Sequence, residues 1–494
     1  MNKITIEPIT RLEGHGKIEI FLDEKGNVAN TYFQVPELRG FEQFCVGRLA
    51  EDMPVITNRI CGVCPEAHHM ASVKALDDLF GVVPPPAAVK IRELIYMAFY
   101  VTDHTTHFYA LGGPDFIIGP EAPPAERNIL GVIKKVGLDI AKQVIDCRAR
   151  NHHILELLGG RGIHLVAGVP GGWSRAVSVD ERRQIEDIAR KNIDFALFTL
   201  KIFSDIVLKN SAYLDLITSD IYLHKTYYMG TVDDKNRVNF YDGLVRVVDP
   251  EGKEFVKYHP KEYASHIAEH VEPWTYLKFP YLKNIGWKGF EDGINSGVYC
   301  ATPLSRLNVS DGMATQLAQE HYEQFYETLG SKKINGRYQP VHYRLATHWA
   351  RLVELLYAAE HMLELAIDPE ITSDHIRNIP KEIKGVGIGS VEAPRGTLTH
   401  HYISDTRGVL TKINLIVGTT NNYAPMSMSI KRAAQKFIYN GQIVTEGLLN
   451  KIEMAFRLYD PCLSCATHTL PGKMPMEVTI RDKDCNIIRT LARD

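Results

Sequence analysis

No stretch of this 494-residue chain stays apolar for the roughly 18 positions a membrane-spanning helix needs. The N-terminus, MNKITIEPITRLEGHGKIEI, lacks the apolar core of a secretory signal, so none is expected. Charge of one sign is missing as well: 56 Lys and Arg face 59 Asp and Glu. A near-neutral chain offers no electrostatic case for nucleic acid or an anionic membrane. Internal repeats and low-complexity tracts are absent, which argues against a solenoid. No GxSxG is present, so VPGGWS is no nucleophile elbow. GVGIGS, residues 385–390, lacks the third glycine of GxGxxG and leads into a Pro-Arg-Gly loop, so it is read as structural. Cysteine is scarce, with eight in all, and its placing is uneven. Four fall into two Cys-x-x-Cys pairs; Cys45, Cys147, Cys300 and Cys485 are scattered. Without a signal, a disulfide scaffold is not expected.

What is present predicts a mostly α protein with peripheral β, an α+β fold with long helices bundled at its core. One body over residues 1–494 is expected, with a β-rich entry at residues 1–40. Helical patterning covers residues 89–111, 140–158, 179–209, 315–329, 346–366 and 428–459, with Gly159 and Gly160 ending the second and Ser178 or Asp180 capping the third. Residues 218–306, rich in Tyr, Gly, Pro and charge, read as a strand-and-loop insertion. Residues 383–405 read as a second irregular piece before the strand-like INLIVGTT. MPVITNRI, residues 53–60, reads as strand or loop. Near the end, MPMEVTIRDKDCNIIRTL reads as a hairpin turning at residues 482–484.

The two cysteine pairs carry the chemistry. Cys61 and Cys64 form the first, Cys462 and Cys465 the second, and each spacing lets two thiolates grip one metal. Structural zinc, an iron–sulfur centre, two unrelated pairs and a buried functional metal site are all open readings. A zinc ribbon places its pairs about 15–20 residues apart. Here 398 positions separate Cys64 from Cys462. A loop that long closes at high entropic cost and makes a poor folding nucleus, which favours the functional site. His68, four residues after Cys64, returns to the metal side if a helix starts there; it is read as a donor to a thiolate sulfur. Asp103 lies in the helical YVTDHTTHFY, where a buried carboxylate needs a partner. Arg395, in EAPRG, is a cation in a weakly charged stretch. Either could be an ordinary member of a buried ion pair.

Six motifs taken together resemble the large, catalytic subunit of nickel–iron hydrogenases. They are ITRLEGH (residues 9–15), RGFE (39–42), RICGVCPEAH (59–68), VTDHTTHFY (101–109), EAPRG (392–396) and DPCLSCATH (460–468). They occur in the family's order and span nearly the whole chain, and the two cysteine motifs are the most specific. PELRGFEQFCVGR, RICGVCPEAHHMAS and DPCLSCATH look most like the cytoplasmic, bidirectional branch, and GRGIHLVAGVPGG also resembles the cytoplasmic branches. The resemblance implies a nickel ion on four cysteine sulfurs, two of which bridge to an iron carrying cyanide and carbon monoxide. Cys61 and Cys462 would be terminal ligands; Cys64 and Cys465 would bridge. His68 would donate to a bridging sulfur. Arg395 would lie over the open face of the metals, fixed by Asp103 and Asp460. Pro394 and Thr419 would line the pocket of the diatomic ligands, although Gly418 stands where the family often has Pro. Glu13 would be the first proton relay, beside Cys462. Glu42, His468 and a backbone carbonyl near Leu415 would hold a magnesium, or iron, ion.

The implied activity is reversible, heterolytic cleavage of dihydrogen in the cytoplasm. With four cysteines at nickel, the remaining four lack the spacing of a cluster site, so the electrons need a second chain. The resemblance names an iron–sulfur small subunit. Beyond it stand further electron-transfer subunits: a flavin/NAD module, a ferredoxin-linked complex or a heterodisulfide reductase. It also implies nickel-insertion proteins and a maturation protease that cuts after His468, removing residues 469–494. The expected reason is that an uncut chain cannot tuck its last cysteine pair into the core. A hydrogen sensor and a metal-free scaffold subunit are rival readings. Retention of all four cysteines with Glu13 and Arg395 speaks against the scaffold, and the extension speaks against the sensor.

Overall fold

A computed structural model describes residues 3–464 in full, and the strands Met476–Arg481 and Ile487–Arg493 as backbone. Helix outweighs strand, as the patterning predicts. The entry is an antiparallel sheet of Lys3–Ile6, Lys17–Leu22 and Val28–Gln34. Ile18 and Ile20 alternate inward to zero exposure while Lys17 and Glu19 stay at the rim, the two-residue period of a half-buried strand.

Long helices make the body. Pro86–Thr106 starts with Pro at its first turn, where the missing N–H costs nothing. It and Thr347–Ile367 are buried on almost every side, as helices apolar all round must be. Thr347–Ile367 packs between Pro86–Thr106 and Val179–Phe203. Ser178, one of the two expected caps, opens Val179–Phe203 with a capping box to Glu181. Leu138–Gly159 ends at Gly160, whose φ of 80° is the left-handed turn that glycine adopts freely. Residues 218–306 supply the four-stranded sheet of Tyr299–Cys300, Tyr227–Val232, Leu244–Val248 and Glu254–Tyr258, and the hairpin Ile267–Val271 with Lys278–Leu282.

Three expectations need correcting. MPVITNRI is not strand or loop but a helical turn, Met53–Thr57, running into a 3₁₀ turn, Asn58–Ile60. Its β-branched residues suggested strand, yet Pro54 fits a helix first turn and Thr57 bonds back to the Met53 carbonyl at 2.7 Å. Residues 428–459 are not one helix. Tyr423–Phe437 and Glu446–Arg457 are separated at Asn440 and Gly441, both at positive φ. Residues 383–405 are not irregular: Val386–Ala393 and Gly396–Ser404 form a hairpin, joined antiparallel by Leu410–Ile416. Its glycines misled the reading, and their role is steric. A Cβ at Gly387 or Gly389 would stand 2.1 Å from the Ala75 or Ala71 carbonyl, so only glycine lets this strand lie against the helix Pro65–Leu79. In the C-terminal extension the two expected strands pair antiparallel, Met476 opposite Arg493. The turn expected at residues 482–484 lies outside the described residues.

Candidate metal centre

The first cysteine pair sits at a helix entrance. Cys64 precedes Pro65–Leu79 directly, and Cys61 follows the 3₁₀ turn. The N–H groups of Val63 and Cys64 donate to the Cys61 sulfur at 3.2 and 3.3 Å. Donors aimed at one sulfur stabilise its thiolate, the form that binds metal. Cys462 comes from the far end of the chain. The backbone at Glu13 and Cys462 pairs in parallel, with the Leu463 N–H donating to the Glu13 carbonyl at 3.0 Å. Gly14 is required there, because its φ is +86° and a Cβ would meet the Ser464 nitrogen at 2.9 Å. The N–H of Cys462 donates to the Thr419 hydroxyl at 3.2 Å.

These anchors bring three sulfurs together. Cys462 Sγ is 3.1 Å from Cys61 Sγ and 3.9 Å from Cys64 Sγ, and all three lie within 4.8 Å of one another. A disulfide would place two sulfurs at about 2.05 Å. Two thiolates on one tetrahedral metal, at bonds of about 2.3 Å, stand about 3.8 Å apart. The set therefore fits a thiolate-held metal. Cys465 and His468 lie outside the described residues.

Polar groups surround the sulfurs. Glu13 Oε2 is 3.0 Å from Cys462 Sγ and accepts the Ser464 N–H at 3.1 Å. The Arg395 guanidinium bridges Asp103 at 2.9 Å and Asp460 at 3.0 Å. Burial pushes the Asp103 carboxyl up to about 6, against the pull of Arg395. The cavity beside them is lined by the polar Cys64, Cys462, His68, Arg395 and Thr419 and the apolar Leu398 and Val417. Ala393 also lines it, while the neighbouring Pro394 turns its carbonyl to Arg306 at 3.0 Å. Glu42 is buried and accepts the Leu415 N–H at 2.7 Å. Cys462 is buried.

Sequence reasoning missed several neighbours. Glu66, in the first turn after Cys64, is fully buried, and burial lifts its carboxyl to about 8. A charge inside RICGVCPEAH was the available signal. Arg306, Glu354 and Glu392 form a buried ionic cluster behind Pro394. His400 and Tyr402 extend from His68. Only tertiary pairing brings these to the site, and no local pattern announces it.

Thiolates converging from both ends of a chain, beside a carboxylate and beneath a guanidinium, make a redox metalloenzyme centre. A family model described as nickel-dependent hydrogenase matches residues 39–128 and 296–468, and one described as HoxL-like matches residues 3–38. An F420-non-reducing hydrogenase iron-sulfur subunit of Archaeoglobus profundus is 50% identical over 99% of both chains. The NAD-reducing hydrogenase HoxS subunit beta of Cupriavidus necator is 37% identical, again over 99% of both. A crystal structure of an NAD+-reducing [NiFe]-hydrogenase in its H2-reduced state superposes with a TM-score of 0.86 at 35% identity, covering 95% of this chain and 100% of that one. The chain belongs to the nickel-dependent hydrogenase family, as the large, catalytic subunit of a nickel–iron enzyme. No described helix is long and apolar enough to cross a membrane.

Proposed function

We propose that Cys61, Cys64 and Cys462, with Cys465, hold a nickel–iron centre, Cys61 and Cys462 on nickel alone and Cys64 and Cys465 shared with iron. When bound, that centre, its iron carrying cyanide and carbon monoxide, supplies the electron-accepting site at which dihydrogen is polarised and split. The observation that carries this reading is the contact of Cys61 and Cys64 with Cys462 next to Glu13. Glu13 holds the released proton at Oε2, where the Ser464 N–H keeps the carboxylate turned toward the Cys462 sulfur. Arg395 presents a fixed positive charge to the pocket, because Asp103 and Asp460 leave its guanidinium no other orientation. Leu398, Val417, Thr419 and Ala393 line the pocket, and with Pro394 they would keep water from the diatomic ligands of a bound centre. Glu42, with His468 and the backbone at Leu415, holds a magnesium or iron ion near the C-terminus.

Electrons leave past the Cys61–Cys64 loop, to an iron–sulfur small subunit. Both cysteines are buried, but Gly62 and Val63 between them are exposed. Phe44, Leu49, Val55 and Ile163 are apolar and all more than a third exposed, and would take part in that docking. His164 ties this surface to the site through the Cys61 carbonyl at 3.2 Å. From the small subunit, electrons pass to a soluble acceptor in the cytoplasm: NAD(P), ferredoxin or a heterodisulfide-reductase-linked partner. Nickel-insertion proteins load the site and a protease removes residues 469–494. An intact mass of active enzyme that still includes Asp494 rules that removal out.

The deciding experiment is Glu13→Gln in the assembled enzyme. Nickel content should match the wild type while dihydrogen oxidation falls about 10²- to 10⁴-fold, the usual worth of a positioned proton acceptor. Wild-type turnover in that variant removes Glu13 from the path. A wild-type chain that assembles without nickel removes the metal reading altogether.

A further inference from the structure

The backbone pairing of Glu13 with Cys462 is an isolated bridge, one residue pair long, so its register must be set further out. Each segment arrives through a non-glycine residue at positive φ, two positions ahead: Arg11 at 60° before Glu13, and Asp460 at 52° before Cys462. Side chains disfavour that backbone region, and it persists only where the surroundings hold it. Arg395 holds Asp460 at 3.0 Å. Arg11 is held from a different quarter.

Asp115 is the centre of that hold. It is 1% exposed and sits in the short helix Pro114–Ile117. Arg11 Nη2 donates to its Oδ1 at 2.5 Å, and Arg457 Nη1 donates to its Oδ2 at 2.5 Å. Arg457, with zero exposure, ends the helix Glu446–Arg457 five positions before Cys462. One carboxylate thus bridges guanidiniums from the two segments that meet at the site. Further bonds fix each arm. Arg11 Nη1 donates to the Leu111 carbonyl at 2.9 Å, Arg457 Nε to the Thr10 carbonyl at 3.3 Å, and Asn450 Nδ2 to Asp115 Oδ1 at 3.1 Å. Glu453 balances the second guanidinium, accepting from Arg457 and from the Thr10 hydroxyl at 3.2 Å. Against the upward push of burial, Arg457 and Arg11 hold the Asp115 carboxyl below its ordinary value, so the bridge is charged. A π turn, His107–Gly112, links Asp115 to the long helix that carries Asp103. That run holds Arg395 through Asp103, and the Glu13 and Cys462 segments through Asp115.

We propose that Asp115 is a positioning residue for the proton relay: by pairing one oxygen with Arg11 and the other with Arg457, it sets Glu13 against the Cys462 sulfur. The proposal rests on the reading of Glu13 as the relay. Proton transfer needs its two partners within hydrogen-bond reach, and a misplacement of about 1 Å can cost about a hundredfold in rate.

A double-mutant cycle in the assembled enzyme tests it. Asp115→Asn keeps the shape but turns an N–H toward one guanidinium. It should melt lower, as any loss from a buried ionic cluster does, so stability does not decide the matter. Nickel content should hold. The kcat for dihydrogen oxidation should fall about tenfold with KM unchanged, and its solvent deuterium isotope effect should rise, because proton transfer has become the slow step. Amide exchange over residues 9–16 and 459–464 should quicken, since the Leu463 N–H is bonded to the Glu13 carbonyl. In a Glu13→Gln background, Asp115→Asn should cost no more than about a further twofold, because no relay is left to misplace. A full repeat of the loss in that background overturns the proposal, as does wild-type kcat in Asp115→Asn. Arg11→Lys, at a half-buried position, runs the same cycle with a milder change if Asp115→Asn does not assemble; its loss too should vanish beside Glu13→Gln. Loss of nickel in both variants also overturns the proposal. Wild-type turnover in Glu13→Gln sinks the relay reading and this proposal with it, whereas a slow Glu13→Gln with independent losses sinks the role of Asp115 alone.

Discussion

Arg395 lies in the turn at residues 393–396, Arg306 holds the Ala393 and Pro394 carbonyls of that turn, and both are buried. Arg306 spends every N–H it has. Glu354 takes two, at 2.6 and 2.7 Å, Glu392 one at 3.2 Å, and the Ala393 and Pro394 carbonyls one each at 3.0 Å. Arg395 is held by two carboxylates, yet its Nε and Asp103 Oδ1 find no partner among the described residues; neither do Nε and Nη1 of Arg351 close by. A buried polar group that is fully paired rigidifies its surroundings, and one that is not paired is costly unless something uses it. The first cluster is therefore scaffold and fixes the turn. The second keeps bonding capacity unspent, and its Arg395 lines the cavity with Cys64 and Cys462. The same contrast recurs one residue apart: His69 spends both ring nitrogens, on the Pro54 carbonyl and the Gly168 N–H, each at 3.0 Å, whereas His68 keeps Nε2 in hand.

The largest effect expected from this contrast is on folding. Arg306→Met leaves Glu354 and Glu392 buried without their cation, at a cost of about 3–5 kcal/mol. Denaturant midpoints of the variant read it. A midpoint equal to the wild type would mean that the scaffold role is wrong. Arg395→Lys should act the other way round. It keeps the charge and loses the two-carboxylate fork, so turnover should fall about 10²-fold while melting shifts far less than in Arg306→Met. If both variants unfold alike, the distinction between the two clusters disappears.

The site was legible where one motif carries one role: the cysteine pairs, Glu13, Asp103 and Arg395 stand in short runs of residues with unusual chemistry for their context. The scaffold behind them was not. Arg306, Glu354 and Glu392 sit on separate elements up to 86 positions apart and meet only through tertiary packing. The hairpin carrying Arg395 was read as irregular because its glycines suit turns, while their actual constraint is the backbone of a neighbouring helix. The long buried helices were legible by periodicity and length. The break at Asn440 and Gly441 shows where strong helical patterning on both sides hid a short turn signal.

His69 offers a smaller, pH-dependent test. Burial is the main reason that its pKa falls from 6.5 to about 4. The unfolded chain then binds a proton between those values that the folded chain refuses. Its share of the stability is complete above pH 6.5 and is lost as the pH falls toward 4, at about 1.4 kcal/mol per unit. His69→Gln can keep a hydrogen bond on each side and does not titrate, so the variant should lose less stability than the wild type between pH 7 and pH 5. Unfolding curves of the chain at the two values read the difference. Equal losses would mean that His69 takes up its proton while folded, and so is not spent in the way His68 is spared.

The smallest effect should come from the outer edge of the scaffold. Tyr96 and Tyr100 both donate to the Glu392 carbonyl, and Tyr100 stacks on Phe240 at 3.9 Å with the rings 4° from parallel. Tyr100→Phe keeps the stack and leaves the carbonyl one donor, so no buried acceptor is stranded. The expected cost is about 1 kcal/mol, the net worth of one hydrogen bond. Because Arg306 still holds the Ala393 and Pro394 carbonyls, turnover should not change. A loss of activity larger than the loss of stability would show that Glu392 transmits strain to the turn, and that the scaffold and the working cluster are one mechanical unit.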